Sequence, residues 1–248
     1  MPELPEVQTI VGDLKTNIVG YKIPKVIIAK KYSVLPDTNT FEEFTINSKV
    51  TNVERVAKNI VLHLDNKHFI RVHLAMTGRV LLREINNKTD KWVRVIFVLQ
   101  KGKEQKHLRY CDMRMFGKIE FMDGEAYKKL FKKYGPEILD KTLTTEKFLE
   151  IIKNKNTNIK NLLLDQKQVS GLGNIYASDA LFLSRINPKT KTSKITYDQA
   201  NKLLKSARKV LEKGIKNRGS TLFDKMFVDI FGKEGSHQNH FEIYSKDT

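Results

Sequence analysis

The chain begins with MPELPEVQTIVGDLKTNI (residues 1–18), and the apolar side chains of this stretch recur at the spacing of one helix face. They are Val7, Ile10, Val11, Leu14 and Ile18. Pro5 suits the first turn of a helix, where its missing backbone N–H has no partner to lose. The stretch therefore predicts a helix that begins directly after the opening residues and places Pro2 at its N-terminus.

The position of Pro2 could make this end of the chain a nucleophile. Cytosolic processing commonly removes a methionine that precedes a small residue, and removal of Met1 would leave Pro2 with a free secondary amine. The positive end of a helix disfavours the protonated amine, and a neutral amine can attack electrophilic carbon. Glu3 and Glu6 could give or take protons there. The alternative, from these residues alone, is a capped helix start without a catalytic role.

The segments that follow are typical of strands up to about residue 122. They are short, rich in β-branched residues and separated by polar turns such as PDTNT (36–40) and NNKTDK (86–91). The segments are KVIIAKK (25–31), NIVLHL (59–64), FIRVHLAM (69–76), VRVIFVL (93–99) and KIEFM (118–122). This half of the chain is predicted to form an antiparallel sandwich or barrel.

Helical periodicity replaces this pattern from Gly124 onward. Helices are expected at YKKLFKKYG (127–135), TTEKFLEIIKN (144–154), IKNLLLDQ (159–166), IYASDALFLSRI (175–186) and YDQANKLLKSARKVLEKGIKN (197–217), and a lone strand at FEIY (241–244). We predict an α+β protein: an N-terminal antiparallel β-sandwich domain with a leading helix (1–130), a linker (131–142) and a C-terminal helical domain (143–248).

The composition favours a polyanionic partner. Lys and Arg number 45 against 28 Asp and Glu, a formal net charge of +17, and neutralising phosphates releases condensed counterions. A lysine bias of the whole proteome is the alternative explanation for part of this excess. The single cysteine, Cys111, excludes an intrachain disulfide and a cysteine-based zinc site. Neither a signal peptide nor an apolar run of about 20 residues is present, so we expect a cytoplasmic protein.

Two further stretches combine apolar residues with arginines. HLAMTGR (73–79) and RYCDMRMFGK (109–118) place Met76 and Phe116 close in sequence to Arg79 and Arg114. Exposed apolar side chains beside arginines suit a protein that wedges a base stack and holds phosphates. The alternative is a pair of strands whose Met and Phe side chains face the core.

A glycine pair stands before one of the predicted helices. In DQKQVSGLGNIYASDALF (165–182), Gly171 and Gly173 precede a helix start at Asn174. Backbone amides at a helix N-terminus bind phosphate well, so this turn could hold a phosphate group. The alternative is an ordinary tight turn between two helices.

Taken together, these stretches resemble the formamidopyrimidine-DNA glycosylase (Fpg/Nei) family, in the family's order and over almost the whole chain. The residues that carry the resemblance are PELPEV (2–7), RVAKNIVLHL (55–64), HLAMTGR (73–79), DMRMFG (112–117), YGPEIL (134–139), IKNLLLDQKQVSGLGNIYASDALF (159–182), RGSTLFD (218–224) and NHFEIY (239–244).

The resemblance implies a bifunctional DNA glycosylase/AP lyase that excises oxidised purines (8-oxoguanine and formamidopyrimidines) in base excision repair and then cleaves the abasic strand. Pro2 matches the family's nucleophile, which attacks the sugar C1′, displaces the damaged base and forms a Schiff base. Glu3 matches the acid that assists opening of the sugar ring, and Glu6 matches a supporting carboxylate. Lys58, on a strand-like segment, matches a lysine that contacts phosphate near the damaged nucleotide.

The resemblance also implies a DNA-binding surface and a partner, namely double-stranded DNA that contains an oxidised purine or an abasic site, bound by a monomer. The expected DNA contacts besides Lys58 are His73, Met76, Arg114, Phe116, Lys160 and Asn174. Met76, Arg114 and Phe116 match the triad that fills the space left by the everted nucleotide. Lys160 and Asn174 match phosphate contacts of the family's helix-two-turn-helix motif. Tyr176 is expected to pack, and residues 218–237 align with the loop that closes over the everted base.

The sequence departs from the family pattern at its last residues. Family members usually continue into a finger of two strands, four cysteines and one zinc, whereas this sequence reads EIYSKDT over residues 242–248. A truncated product, a natural variant that binds DNA through its other contacts, and a degenerate member are the explanations left open. We expect no metal and no other cofactor, and we expect His237 and His240 to be loop histidines.

Two other functions compete with the one that the resemblance implies. A catalytically impaired or non-catalytic relative that only binds DNA lesions would account for the missing finger. An RNA- or ribosome-associated basic protein would account for the charge but for none of the motifs. With Met1 attached, moreover, Pro2 has no free amine and cannot form the Schiff base.

Overall fold

The first predicted helix is present in the computed structural model, which describes residues 2–246. Helix α1 spans Leu4–Ile18, with Pro5 in its first turn and Glu3 as its N-cap residue. The Glu6 carboxylate accepts a hydrogen bond from the Glu3 backbone N–H at 2.8 Å. The predicted apolar face is buried, and it packs into the core of a β-sandwich.

The N-terminal half forms two antiparallel sheets that pack face to face, so the predicted sandwich is confirmed. Its elements are β1 (Lys22–Ile28), α2 (Thr38–Thr45), β2 (Val50–Val56), β3 (Asn59–Leu64), β4 (Phe69–His73), β5 (Gly78–Glu84), β6 (Val93–Lys101), β7 (Glu104–Asp112) and β8 (Lys118–Met122). In the described part of the chain, one sheet has the order β1-β6-β7-β5 and the other β2-β3-β4-β8. The second sheet carries Lys58 at one of its turns, next to α1.

Several of these elements escaped the sequence analysis. Strands β2, β5 and β7 were not predicted, because charged residues interrupt the apolar alternation of their sequences. PDTNT (36–40), predicted as a turn, instead starts helix α2, where the Asp37 side chain accepts the backbone N–H of Thr40 at 2.9 Å. An Asp at this position is a strong N-cap, which the turn reading overlooked.

The C-terminal half is helical, as predicted. Its helices are α3 (Gly124–Lys132), α4 (Thr145–Lys153), α5 (Ile159–Leu164), α6 (Asn174–Ser184) and α7 (Tyr197–Lys216). Helix α3 packs against the second sheet, and the helices after it have a core of their own. Helix α6 lies against α7, and its buried residues include Tyr176 and Asp179. Among residues 2–246, no helix combines the length and the apolar character that crossing a bilayer requires.

The strand predicted at FEIY (241–244) is wrong. The backbone N–H groups of Glu242, Ile243 and Tyr244 all donate to the Asp179 carboxylate, at 3.1, 3.0 and 3.0 Å. Successive N–H groups of a strand point in opposite directions, so three consecutive ones cannot converge on one carboxylate in a strand. The buried Asp179 therefore sets the conformation of this segment.

Candidate active site

The side-chain carboxylate of Glu3, near the N-terminus, caps a helix in the other half of the chain. Its oxygens accept the backbone N–H groups of Gly173 at 2.7 Å, Ile175 at 2.9 Å and Tyr176 at 3.4 Å, at the first turn of α6. These amides are the ones that the sequence analysis considered for phosphate. That prediction is wrong for them, because Glu3 already uses the helix N-terminus as an anion would.

Gly173 makes this close approach possible. A Cβ atom at residue 173 would lie 2.4 Å from the Cδ atom of Glu3. The backbone of Gly173 is extended, with φ of −133°, a conformation open to any residue. The glycine is therefore required by contact with Glu3 and not by backbone strain.

Burial changes the acidity of Glu3. Its side chain belongs to a residue that is only 3% exposed, and burial raises its pKa to about 7. The Lys58 ammonium and the amides of Ile175 and Gly173 lower that pKa, and the neighbouring Glu6 carboxylate raises it. A carboxyl group with a pKa near neutrality exists in both protonation states, so it can deliver and accept a proton.

Lys58 lies in the tight turn between β2 and β3, and not on a strand as predicted. The turn places it against α1, so that its ammonium faces Glu3 and Glu6. Lys58 is 8% exposed, and burial lowers its pKa while the two carboxylates raise it. Pro2, itself buried, thus begins a chain segment whose next charged neighbours are two carboxyl groups and one lysine.

Glu6 connects this site to two other segments. Its Oε1 atom accepts the Tyr176 hydroxyl at 2.8 Å and the Ser220 backbone N–H at 2.7 Å. Tyr176 does pack, as expected, but it also holds Glu6, so the sequence analysis missed a functional contact. Burial and Glu6 raise the pKa of Tyr176 well above its ordinary value, which keeps the hydroxyl a donor. The one sequence signal was the position of Tyr176, two residues after Asn174 in the glycine-rich block.

Met76, Arg114 and Phe116 come together on the surface, as the resemblance implied. The Arg114 Nη1 atom lies 3.4 Å from the Met76 sulfur, and its guanidinium lies over the Phe116 ring at 4.5 Å. Met76 is 45% exposed and Phe116 is 56% exposed. The alternative of core-facing strand residues is therefore wrong, and we name these three residues the wedge group.

A buried carboxylate organises the loop that carries the wedge group. Asp112 is fully buried and accepts hydrogen bonds from the Thr77 hydroxyl, the Tyr110 hydroxyl at 3.0 Å, and the backbone N–H groups of Arg114 at 3.2 Å and Gly117 at 2.9 Å. The Oδ1 atom thus binds the backbone of Arg114 and the Oδ2 atom that of Gly117, so the two oxygens fix different parts of residues 112–117. Rigid support of this kind lets exposed apolar side chains keep one conformation.

His73 links the active site to the wedge group. It pairs with Asn59, the neighbour of Lys58, on one side and with Lys118, the neighbour of Gly117, on the other. Burial is the main cause that lowers the pKa of His73 to about 4, and the positive charges of Arg71, Lys58 and Lys118 contribute to this shift. At neutral pH His73 is therefore an uncharged hydrogen-bonding group between the two clusters.

Lys160 and Asn174 lie together on the helical half. The Lys160 Nζ atom donates to the Ser178 hydroxyl at 3.1 Å, and Asn174 is exposed four residues before Ser178, on the same face of α6. Asn174 directly follows Gly173, which binds Glu3. The two predicted phosphate contacts therefore lie at the helix end that also holds the Glu3 carboxyl group.

The histidines near the end of the chain are not loop residues as predicted. His237–His240 form a short 3₁₀ helix, and His237 is buried, with its ring parallel to that of Tyr176 at a centroid distance of 5.2 Å. Burial lowers the pKa of His237 to about 4. In residues 2–246, no group of three or more His, Cys, Asp and Glu side chains is arranged to hold a metal ion.

The segment between α7 and this 3₁₀ helix combines buried and exposed residues. Ser220 and Thr221 are buried, whereas the side chain of the nearby Phe223 is fully exposed. Ser220 contacts Glu6 through its backbone, so the segment begins at the site. Its tip projects into solvent.

The curated relatives that match this chain in sequence are DNA glycosylases. Residues 1–119 match the formamidopyrimidine-DNA glycosylase N-terminal domain, and residues 134–225 match the formamidopyrimidine-DNA glycosylase H2TH domain. The chain belongs to the formamidopyrimidine-DNA glycosylase family. The match to the H2TH domain confirms the helix-two-turn-helix motif that the resemblance implied for the C-terminal half.

Individual relatives agree over the full length of the chain. The formamidopyrimidine-DNA glycosylase of Pelotomaculum thermopropionicum is 34% identical over 250 residues, covering 100% of this chain and 89% of the relative. That of Rickettsia africae is 35% identical over 251 residues, with 100% and 89% covered. The structure of Lactococcus lactis Fpg in complex with DNA containing an abasic site matches with a TM-score of 0.90 at 28% identity, over 99% of this chain and 89% of that one.

Proposed function

We propose that this protein is a bifunctional DNA glycosylase/AP lyase that removes oxidised purines, 8-oxoguanine and formamidopyrimidines, from double-stranded DNA and cleaves the resulting abasic strand. The observation that carries the proposal is the buried arrangement of Pro2 and Glu3 against Lys58 and the N-terminus of α6. In this proposal the protein is cytoplasmic and binds DNA as a monomer. The chemistry needs no metal or other cofactor, because the chain supplies nucleophile and acid itself.

Pro2 is the nucleophile of the proposed reaction once Met1, which lies outside the described residues, has been removed. The amine nitrogen bonds to the sugar C1′ while the bond from C1′ to the base breaks, and the base leaves with that electron pair and takes up the proton that the amine loses. Glu3 in its protonated form gives a proton to the sugar ring oxygen, so that the ring opens and an iminium forms. Loss of a C2′ proton then expels the 3′ phosphate, and loss of the C4′ proton expels the 5′ phosphate.

Lys58 and Glu6 support these steps in different ways. The Lys58 ammonium favours negative charge on nearby phosphate and sugar oxygens, since a cation in a water-poor site acts strongly. Glu6 holds the backbone N–H of Glu3 at 2.8 Å and is held by Tyr176 and Ser220. It therefore keeps the first residues of the chain in place for attack.

The surface contacts serve to expose the damaged nucleotide. Taking a nucleotide out of the stack costs a few kcal/mol, so the vacated space has to be filled. We assign this role to the wedge group, with Arg114 opposite the orphaned base and Phe116 beside it. His73, Lys160 and Asn174 contact the flanking phosphates.

The proposal is tested by trapping the Schiff base with borohydride. Protein whose loss of Met1 is established by mass spectrometry is incubated with a duplex that carries 8-oxoguanine opposite cytosine, and with a second duplex that carries an abasic site. A covalent protein–DNA band with both duplexes is expected. No band with either duplex would refute the lyase assignment, and a band with the abasic duplex alone would refute the assignment to 8-oxoguanine.

Pro2→Gly is the matched variant for this experiment. Excision and trapping should fall by at least about 10²-fold, as expected when a nucleophile is removed, while the affinity for the abasic duplex stays within about threefold. Binding can be followed through Trp92, the only tryptophan of the sequence, which is 43% exposed and whose carbonyl accepts the Asp112 N–H at 3.0 Å. Native excision by Pro2→Gly would show that another group is the nucleophile.

A further inference from the structure

We propose that Glu137 is a positioning residue of the active site, which fixes the Lys58 turn relative to Glu3 from the segment that links the two halves of the chain. The inference rests on the proposed function, because it concerns the same reaction. Glu137, Arg55 and Ala57 make the contacts concerned, and we name them the Glu137 clamp. Glu137 touches none of the reacting groups itself.

The clamp holds the peptide that carries Lys58. The Glu137 Oε1 atom accepts the backbone N–H of Ala57 at 3.0 Å, and the two carboxylate oxygens accept Arg55 Nη1 at 2.5 Å and Nη2 at 2.8 Å. Arg55 Nη1 also donates to the Ala57 carbonyl at 2.9 Å. Both polar groups of Ala57, the residue before Lys58, are therefore bound by the clamp.

Ala57 needs such support because of its backbone conformation. Its φ is +52°, in the left-handed region that an alanine rarely adopts. A non-glycine residue keeps this conformation only where surrounding contacts impose it. Loss of those contacts would let the turn relax, and Lys58 would move with it.

The same linking segment also holds the residue after Lys58. The Asn59 side-chain amide donates to the Tyr134 hydroxyl at 2.9 Å and to the Val56 carbonyl at 2.9 Å. Lys58 thus lies between two residues, each tied to the segment that runs from Tyr134 to Glu137. The bond through Tyr134 is the weaker of the two connections, because both of its partners are uncharged.

The linking segment is in turn joined to the loop that leads to the Glu3 site. The Ser170 N–H donates to the Pro136 carbonyl at 2.9 Å, the Gly135 N–H donates to the Gln166 carbonyl at 2.9 Å, and the two segments form a parallel bridge between Glu137 and Ser170. Three residues after Ser170, Gly173 binds the Glu3 carboxylate. A short path of hydrogen bonds therefore connects the Lys58 turn to the amides that hold Glu3.

Arg55 adds a direct connection to the helix that begins at the site. Its Nε atom donates to the Gln8 Oε1 atom at 2.8 Å, on α1. One guanidinium therefore contacts α1, the Lys58 turn and the linking segment. The planar, forked guanidinium makes such a geometry stiff, particularly in a bidentate pair with a carboxylate.

A change in this geometry has a measurable electrostatic consequence. The charged groups that face Glu3 are Lys58 and Glu6, in addition to the α6 amides, and Lys58 lowers the pKa of Glu3. The charged groups that face Lys58 are Glu3 and Glu6. If the turn relaxes and Lys58 moves away, the pKa of Glu3 rises, and the descending alkaline limb of the excision rate moves to higher pH.

Glu137→Gln is the variant that tests this role, and Glu120→Gln is its matched control. Glutamine keeps the shape and one acceptor oxygen but loses the ion pair. Arg71 and Glu120 form a comparable pair at 2.5 Å in the same sheet, with side chains 12% and 26% exposed against 10% and 27% for Arg55 and Glu137. Glutamine has nearly the volume of glutamate, so Glu137→Gln opens no void beside the cavity of about 430 Å³ that borders this residue.

The measurements are single-turnover excision of 8-oxoguanine across pH at saturating enzyme, the affinity for the abasic duplex, and Tm. For Glu137→Gln we expect excision at neutral pH to slow by about tenfold or more, affinity to stay within about threefold, and the alkaline limb to move to higher pH. Tyr134→Phe should show smaller changes in the same directions. Glu120→Gln should behave as wild type.

The outcomes separate this inference from the proposed function. Wild-type protein without Met1 that fails to excise or to be trapped would refute the proposed function. If wild type is active, a Glu137→Gln variant with the wild-type rate would refute the inference alone. A slower variant whose pH profile is unchanged would also refute it, because Lys58 would then have kept its position relative to Glu3.

Discussion

At the scale of single residues, Glu3 shows how the protein controls a proton. Three backbone amides stabilise its charged form, and the pKa nonetheless lies near 7 because burial outweighs them. An exposed glutamate would be fully ionised at neutral pH and could not act as an acid there. The fold therefore keeps Glu3 usable as an acid and as a base under physiological conditions.

The raised pKa of Glu3 predicts how stability depends on pH. The pKa is about 7 in the folded protein against an ordinary 4.5, so the folded state binds more protons within this window. The free energy of unfolding should therefore fall as pH rises through it, by an amount on the order of 3 kcal/mol for this one group. Glu3→Gln has no such group and should show a smaller fall.

Urea unfolding of wild type and Glu3→Gln at about pH 5 and about pH 8 measures this difference. The stability gained by the glutamine variant relative to wild type should be larger at the higher pH. Equal pH dependence of the two proteins would show that Glu3 keeps an ordinary pKa after folding.

At the scale of elements, the N-terminus of α6 serves the two halves of the chain at once. Its amides hold Glu3 from the N-terminal segment, and its exposed side carries Asn174 and Ser178, which binds Lys160. A helix terminus provides several donors in one direction, which a strand or loop does not. The position of the Glu3 carboxyl group relative to the predicted phosphate contacts is therefore set by one rigid element.

Two glycine-to-alanine substitutions distinguish contact from backbone effects. Gly173→Ala places a Cβ atom 2.4 Å from Glu3 Cδ, which forces the carboxylate off the α6 amides. Excision should then fall by about 10²-fold or more, the contribution expected of a general acid. Gly12→Ala, in the exposed middle of α1 with open space around it, should raise the free energy of unfolding by about 0.5–1 kcal/mol and leave excision unchanged.

The comparison is made by single-turnover excision and thermal unfolding of the two variants beside wild type. Normal excision by Gly173→Ala would mean that the reaction does not need Glu3 on the α6 amides. A stability loss in Gly12→Ala would contradict the helical assignment of α1 at that position.

At the scale of the whole molecule, the charge of +17 acts on binding more than on folding. Each phosphate neutralised by the protein adds about 0.9 to the slope of log affinity against log salt concentration. Affinity for any duplex should therefore fall steeply as salt rises, and this fall reports how many cations touch phosphate.

Lys160→Ala should reduce this slope by about one unit. Lys106→Ala is the control, because Lys106 lies six residues along β7 from Asp112, about 20 Å from the end of the strand that carries the wedge loop. Its slope should equal that of wild type. Titrations of an abasic duplex at several salt concentrations give both values, and an unchanged slope in Lys160→Ala would remove it from the phosphate contacts.

Elements that depend on neighbouring residues could be predicted from the sequence, whereas elements that depend on distant segments could not. Helix α1, with Pro2 before it, and α4 to α7 were predictable because periodicity, caps and turn residues act within a few positions. Strands β2, β5 and β7 were missed because each depends on a partner strand to cover its apolar face. Asp179, a buried acid among apolar neighbours, gave no local sign that it would turn residues 242–244 away from a strand.

The sequence by itself determined which residues are available for chemistry: a proline and two glutamates at a helix start, a lysine that it placed on a strand-like segment, and two stretches that combine apolar residues with arginines. Only the tertiary structure decided how they act together. The amide that binds Glu3 lies 170 residues away in the chain, the hydroxyl that binds Glu6 also 170, and the carboxylate that holds the Lys58 turn 80. Burial and neighbouring charge set the pKa of Glu3, and both arise from contacts between distant segments that no local pattern encodes.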